Sequence, residues 1–178
     1  MRRARATALC LALLGAAGCA DGAGDDPTPA AVTPTTAGEA ARVVRVVDGD
    51  TLVARLDGGD VRVRLLGVDA PESVTPERPV QCFGPQAGAR LRTLLPEGAR
   101  VSIATDPSQG REDRFGRLLG EVTPAGRALT VNEALIAGGY ARVFRGDGRA
   151  RLLPRLAAAE RSARRARLGL WEACPRTY

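Results

Sequence analysis

Carboxylate and guanidinium groups are concentrated in three short segments of this chain. Asp48–Thr51 reads Asp-Gly-Asp-Thr, Arg64–Glu72 reads Arg-Leu-Leu-Gly-Val-Asp-Ala-Pro-Glu, and Asp113–Arg117 reads Asp-Arg-Phe-Gly-Arg. The chain contains no histidine and no lysine, so all 26 basic residues are arginine. Oxygen anions suit a hard cation such as Ca²⁺, and guanidinium groups suit phosphate. These residue types therefore indicate a metal site that handles a phosphate ester.

The missing residues exclude several classes of enzyme. Histidine-dependent zinc sites, triads with an imidazole base, paired-histidine ribonuclease chemistry and phosphate-loop lysines each lack an essential residue. Metal-assisted hydrolysis with a carboxylate base and two-carboxylate glycoside hydrolysis are compatible with the composition. Glycosidases usually bind sugars through aromatic faces, and only 3% of this chain is aromatic, so the glycosidase interpretation is the weaker.

Five side chains are candidates for this chemistry. Asp50 begins a predicted strand after a tight glycine turn and Asp69 follows another strand, so a barrel can bring both carboxylates to one rim, where they would suit Ca²⁺. Arg64 and Arg117 can each donate two hydrogen bonds to phosphate oxygens. Glu72 can orient or deprotonate a water near the metal. Taken one at a time, the same residues could form a turn, a surface ion pair and a helix or turn cap.

The elements that must position these residues follow from the hydrophobic pattern. Alternating β-branched residues predict strands, and helical spacing after proline or capping residues predicts three helices. The predicted strands are Val43–Val47, Thr51–Leu56, Val61–Leu66, Arg100–Thr105 and Arg117–Val122, and the predicted helices are Gly84–Leu95, Val131–Ala137 and Arg149–Leu168. Five strands with a helix between the third and the fourth is the order of an OB-fold, a mainly β member of the α+β class.

The order of the motifs resembles one known family. Besides the three acidic and basic segments, Gly84–Ala87 reads Gly-Pro-Gln-Ala, Val131–Leu135 reads Val-Asn-Glu-Ala-Leu and Gly169–Trp171 reads Gly-Leu-Trp. From about Val43 to Trp171 the sequence is similar to the staphylococcal-type nuclease (thermonuclease) family. Each motif alone is weak, but together they cover nearly the whole predicted domain.

The resemblance implies Ca²⁺-dependent cleavage of DNA and RNA at the bond to the 5′ oxygen, leaving 3′-phosphates. The residues that match the family's functional positions are Asp50, Asp69 and the main-chain carbonyl of Ala70 for the metal, Arg64 and Arg117 for the phosphate, and Glu72 for the attacking water. Phe115 stands where the best-known member has a tyrosine that touches a terminal phosphate. Tyr140–Arg145 shows no evident match to that member's pair of base-packing tyrosines.

A non-catalytic nucleic-acid-binding module of the OB type is the main alternative. Residues 41–178 carry 23 arginines against 16 acidic residues, a balance that favours an anionic partner. Such modules typically lose the acidic and arginine residues, all of which are present here. A third interpretation is a surface lipoprotein whose domain recognises another anionic polymer. In each case we expect a monomer.

The N-terminal residues predict export. Residues 1–18 combine three arginines with an apolar stretch too short to span a bilayer, which indicates a signal peptide. Leu13–Cys19 resembles a lipobox, in which Cys19 is lipidated and becomes the new N-terminus. The linker, residues 19–40, would tether the domain, residues 41–178, to a membrane through that lipid alone. We therefore expect a cell-envelope lipoprotein or a secreted protein; an ordinary secretory signal with an incidental Cys19 is the alternative.

Two cysteines remain in the predicted mature domain. In an oxidising compartment Cys82 and Cys174 could form a disulfide between the segment before the first helix and the C-terminal tail. For a loop of this length the chain-entropy model gives about 4 kcal/mol of stabilisation. The alternative is two free thiols.

The predicted export route can be tested at Cys19. Mass spectrometry of the mature protein should find a lipid adduct on an N-terminal Cys19, and the adduct should be absent from a Cys19→Ala variant. A mature N-terminus at another residue, without lipid, would indicate an ordinary secretory signal instead.

Overall fold

The computed structural model describes residues 38–73, 79–146 and 148–174. Within these ranges the chain forms seven strands and four helices. The strands are β1 (Glu39–Val46), β2 (Thr51–Leu56), β3 (Gly59–Leu65), β4 (Val68–Asp69), β5 (Arg100–Ala104), β6 (Leu118–Pro124) and β7 (Arg142–Val143), and the helices are α1 (Gly84–Leu94), α2 (Val131–Ala137), α3 (Leu153–Arg165) and α4 (Leu170–Ala173). The predicted signal peptide and nearly all of the linker lie outside the described residues; β1 begins at Glu39, two residues before the predicted start of the domain at residue 41.

Five strands close into a barrel, as the OB-fold prediction requires. Their order is β1-β2-β3-β6-β5, and β1 pairs with β5 to complete the ring. The pairing of β3 with β6 is parallel and the other pairings are antiparallel. Buried aliphatic side chains such as Leu52, Val63 and Ile103 form the hydrophobic core, which explains why the predicted strands alternate in hydrophobicity.

The β2–β3 hairpin sets the register of the residues that matter most. Leu56 pairs with Gly59 across a two-residue turn, and Gly59 has a φ of 127°, which side chains disfavour. This register pairs Thr51 with Arg64 at the other end of the hairpin. Because side chains alternate along a strand, a slip of one residue would turn the Arg64 side chain to the opposite face.

Helix α2 has the bounds that the sequence predicts, and one of its side chains holds the segment that follows β3. Thr130 caps the helix, its Oγ1 accepting a hydrogen bond from the Glu133 N–H at 3.2 Å. The spacing of Thr130 and Glu133 is that of a capping box, but the Glu133 carboxylate pairs with Arg155 Nε at 2.8 Å. The fully buried Asn132 donates from Nδ2 to the carbonyl of Leu66 at 2.8 Å, which holds the segment after β3 in place.

Several elements differ from the predictions. Helix α3 begins at Leu153 rather than Arg149, because the Arg151 N–H donates to the Asp106 carboxylate at 2.7 Å and so holds the preceding residues in a turn. Pro154 lies in the first turn of α3, where the missing N–H of proline costs no helical hydrogen bond. Helix α4 and the pairing of β4 with β7 were not among the predicted elements. Elements of two to four residues are too short to show a period in the sequence.

Cys82 and Cys174 form a disulfide, with their Cα atoms 5.8 Å apart. The bond connects the segment before α1 to the end of α4. Among the helices of the described ranges, none combines the length and the apolar character needed to cross a bilayer.

The disulfide should make a measurable contribution to stability. It closes a loop of 92 residues, so we expect a Cys82→Ser, Cys174→Ser variant to lose about 4 kcal/mol in its free energy of unfolding, chiefly because its unfolded chain gains entropy. Urea unfolding of the variant and of the oxidised protein measures the difference. Equal unfolding midpoints with equal slopes would contradict this expectation.

Candidate active site

The Asp50 carboxylate lies at the centre of the candidate site and is only 8% exposed. Its Oδ1 forms an ion pair with Arg64 Nη1 and accepts a hydrogen bond from Thr51 Oγ1 at 3.1 Å. Its Oδ2 accepts a hydrogen bond from the Ala70 N–H at 2.9 Å. One carboxylate therefore ties the start of β2 to the end of β3 and to the residue after β4.

The same guanidinium reaches a second carboxylate. Arg64 Nη2 lies 3.8 Å from Asp69 Oδ1, so Asp50 and Asp69 converge on one cationic group. The turn at Gly49 allows this approach, because a Cβ there would lie 2.6 Å from the Ala70 Cβ and 2.9 Å from the Ala87 Cβ. A side chain at position 49 would push the Asp50 turn away from the segment that carries Asp69.

Asp48 belongs to the same acidic group, although the sequence analysis treated it only as part of a turn. Its Oδ1 accepts a hydrogen bond from the Asp50 N–H at 2.9 Å. Burial raises the pKa of the Asp48 carboxyl above its usual value, and the negative charge of Glu72 adds to this effect, whereas Arg64 opposes it. The shift indicates that Asp48, Arg64 and Glu72 interact electrostatically across one small site.

Arg117 is the second guanidinium of the site, and Asp113 holds it. Arg117 Nη2 and Nε lie 2.6 and 2.7 Å from Asp113 Oδ2, in a turn where Gly116 has a φ of 70°. Burial lowers the pKa of Arg64, and the like charge of Arg117 lowers it further. The sequence analysis did not assign a role to Asp113, although its spacing of four residues from Arg117 could have suggested the pair.

The two arginines line one cleft. The cleft has a volume of about 480 Å³, and Arg64, Arg117, Phe115 and Phe144 are among its lining residues. Phe115 and Phe144 are 68% and 56% exposed, unusually high for large apolar side chains. The cleft therefore combines positive charge with two aromatic faces.

Glu72 is half-buried and its main chain is held at two points. The Glu72 N–H donates to Gln81 Oε1 at 2.7 Å, and the Gln81 N–H donates to the Glu72 carbonyl at 2.8 Å. The Ser73 N–H donates to Glu72 Oε1 at 3.2 Å, which orients the carboxylate. Gln81 was not predicted as a site residue, because a contact between residues nine positions apart leaves no periodic pattern in the sequence.

The donor set suits a hard cation. In this structure the Arg64 guanidinium lies between Asp50 and Asp69, with one nitrogen paired with each carboxylate. The described ranges contain no group of three or more His, Cys, Asp or Glu side chains that could hold a metal. A metal here would therefore complete its shell with the Ala70 carbonyl and water, which Ca²⁺ accepts and Zn²⁺ sites seldom use.

The structure thus brings together four of the five side chains that the sequence singled out. Arg64 pairs with Asp50 and with Asp69, and Arg117 lines the same cleft as Arg64. Glu72 is linked to this group by its charge, which contributes to the raised pKa of the Asp48 carboxyl. Their roles in metal binding and catalysis stay predictions.

Comparisons with known proteins point in one direction. Residues 62–173 match the family model described as "Staphylococcal nuclease homologue". The chain is 35% identical over 135 residues to a thermonuclease of Staphylococcus intermedius, covering 76% of this chain and 77% of that protein. It is 32% identical over 130 residues to a thermonuclease of Staphylococcus hyicus, with 73% and 74% covered, and 35% identical over 136 residues to a micrococcal nuclease of Shigella flexneri, with 72% and 71% covered.

The Asp113–Arg117 pair should give the stability a pH dependence. Burial alone would raise the pKa of Asp113, but its hydrogen bonds from Arg117 and from the Phe115 N–H outweigh burial and lower it. The pair therefore stabilises the fold above the unfolded-state pKa of about 4, and this contribution is lost as the pH falls through the lower folded pKa.

We expect Asp113→Asn to lower the free energy of unfolding by about 1–2 kcal/mol at pH 7 and by less at pH 3. Urea unfolding at the two pH values measures this. The control is Asp57→Asn, which changes an exposed carboxylate in the β2–β3 turn. A loss for Asp113→Asn that is the same at both pH values would contradict the assignment.

Proposed function

Because the chain belongs to the staphylococcal nuclease family, we propose that it is a Ca²⁺-dependent phosphodiesterase that hydrolyses DNA and RNA and leaves 3′-phosphates. Family membership supports nuclease activity in general. We propose the identity of the metal, of the substrates and of the products from the residues of the site.

One observation carries the proposal: two guanidinium groups line a cleft beside a pair of converging carboxylates. Two adjacent cations repel each other, so the arrangement is favourable only if anions lie nearby. Asp50 and Asp113 meet that need in the present structure. A phosphodiester in the cleft would meet it in the complex, because phosphate oxygens can accept paired hydrogen bonds from each guanidinium.

In the proposed reaction Arg64 and Arg117 bind the non-bridging oxygens of the scissile phosphate. Their hydrogen bonds strengthen as negative charge accumulates on the phosphorus centre, so they stabilise the transition state more than the substrate. Glu72 takes the proton of the attacking water, whose oxygen bonds to phosphorus while the bond from phosphorus to the 5′ oxygen breaks. The departing 5′ oxygen takes a proton from solvent water and leaves as a 5′-hydroxyl. A Ca²⁺ ion held by Asp50, Asp69 and the Ala70 carbonyl would supply positive charge to the phosphate and its water.

The aromatic side chains of the cleft suggest how the substrate is held. Phe115 and Phe144 expose their rings beside the arginines, and base stacking on such rings tolerates any sequence. Since bases are available for stacking only when they are unpaired, we expect single-stranded nucleic acid to be preferred to duplex. Arg114 and Arg117 lie over the Phe115 ring at 4.7 and 5.4 Å, which places positive charge next to this surface.

The setting of the enzyme is also part of the proposal. The charged and apolar pattern of residues 1–18 and the position of Cys19 support an exported protein, secreted or attached to the cell envelope through a lipid. We propose that it acts there as a monomer, since the site is built from one barrel and its own loops.

Cleavage of labelled single-stranded DNA tests the proposed function. We expect shortening with Ca²⁺ and none with a chelator, a loss of about 10²–10⁴ in kcat for Glu72→Gln, and a loss of about 10²–10³ for Arg117→Ala. Asp50→Ala should lose the response to Ca²⁺.

The matched control is Arg62→Ala, which removes an exposed arginine two positions from Arg64 on β3 and should keep most of the activity. A protein that shifts the mobility of the DNA without ever shortening it would be a binding module, and the proposal would then be wrong. Retention of Ca²⁺-dependent cleavage by Asp50→Ala would contradict the metal site.

A further inference from the structure

Two hydrogen bonds join Glu72 to Gln81, nine positions apart in the sequence. The Gln81 side chain accepts from the Glu72 N–H at 2.7 Å, and the Gln81 N–H donates to the Glu72 carbonyl at 2.8 Å. The Glu72 peptide groups are thus held from both sides by a single residue. Arg117 is held in the same way, since its N–H donates to Asp113 Oδ1 at 3.0 Å and its carbonyl accepts from the Asp113 N–H at 2.9 Å.

This main-chain geometry determines where the Glu72 carboxylate points. The Ser73 N–H binds Glu72 Oε1 at 3.2 Å, so the carboxylate and its own backbone form one unit. The neighbouring helix leaves little room for that unit to move, because a Cβ on Gly84 would lie only 2.5 Å from the Glu72 carbonyl oxygen. A rotation of the Glu72 backbone would therefore displace the carboxylate from the metal site.

Gln81 is itself anchored by its neighbours along the chain. Cys82, the next residue, is bonded to Cys174 at the end of α4. Helix α4 is fixed in turn, because the Leu170 N–H donates to the Gly139 carbonyl at 2.8 Å and Leu170 is buried. Phe83 follows with a φ of 70° and packs on Tyr140 with ring centroids 5.6 Å apart. The segment that carries Gln81 is thus held to the helical part of the domain.

We infer that Gln81 is a positioning residue for the nuclease reaction, which holds Glu72 through its two hydrogen bonds, and that the Cys82–Cys174 disulfide anchors Gln81. The inference rests on the role of Glu72 in the proposed function. It makes turnover sensitive to reduction of the disulfide, because a thiol pair no longer ties residues 79–83 to α4. Substrate binding by the arginines is unaffected, since Gln81 is not among the residues that line the cleft.

Two substitutions of Gln81 with similar length separate its hydrogen bond from its bulk. Gln81→Glu keeps an acceptor oxygen for the Glu72 N–H, and Gln81→Met removes it. We expect Gln81→Met to lower kcat about tenfold or more with an unchanged KM for single-stranded DNA, and Gln81→Glu to keep most of the activity. A kcat for Gln81→Met within twofold of the parent would overturn the inference.

The dependence on Glu72 is tested by combining the substitutions. In a Glu72→Gln background, Gln81→Met should cause little additional loss, because the group that it positions is already inactive. Equal losses in both backgrounds would show that Gln81 acts elsewhere and would overturn the inference.

A readout independent of activity is hydrogen exchange at the Glu72 amide. Exchange at this amide should be faster in Gln81→Met than in the parent and in Gln81→Glu, while the barrel amides stay protected. Unchanged protection of the Glu72 amide in Gln81→Met would show that Gln81 does not hold it.

The anchoring role of the disulfide needs its own comparison. At a temperature where circular dichroism shows a fully folded protein, Cys82→Ser, Cys174→Ser should lower kcat severalfold with KM unchanged, and reductant should have the same effect on the parent only. An unchanged kcat would show that the disulfide does not anchor Gln81. If the parent fails to cleave DNA with Ca²⁺, the proposed function is wrong. If the parent cleaves DNA and Glu72→Gln does not, the proposed function holds. An activity of Gln81→Met equal to that of the parent would then show that only the role given to Gln81 is wrong.

Discussion

The Asp50 carboxylate and the Arg64 guanidinium form an ion pair at the open end of the β2–β3 hairpin, where their side chains are 11% and 17% exposed. The pair exists because the two-residue turn at the far end of the hairpin sets the register that brings Thr51 opposite Arg64. A buried pair of this kind is costly to desolvate and adds little net stability by itself. Its value lies in specificity, because it fixes an acidic and a basic group at one point from which the rest of the site is built.

Close packing of small residues brings the remaining groups to that point. Gly49 lets the Asp50 turn approach Ala70, and Gly84 lets α1 approach the carbonyl of Glu72. Asn132 reaches across from α2 to hold Leu66, just after β3. The barrel thus provides rigid strand ends, and glycines at two contacts allow loops from different parts of the chain to meet there.

Much of this arrangement could be predicted from the sequence, and the exceptions have a common cause. The barrel strands and α2 show a clear period, and Asp50, Asp69 and Arg64 lie where predicted strands begin or end, so their convergence could be expected. The β4–β7 pairing, α4 and the Gln81 contacts depend on tertiary packing and are too short or too irregular to leave a pattern. Asp113 was assigned no role from the sequence, although its spacing of four residues from Arg117 could have suggested the pair.

Calorimetric titration with Ca²⁺ measures whether Asp50 and Asp69 share one divalent cation. We expect one Ca²⁺ per chain in the parent protein and a loss of about tenfold or more in affinity for both Asp50→Asn and Asp69→Asn. Asp57→Asn, which changes an exposed carboxylate on the hairpin turn, should bind as the parent does. Unchanged Ca²⁺ binding in either Asp50→Asn or Asp69→Asn would show that the two carboxylates do not share a metal ion.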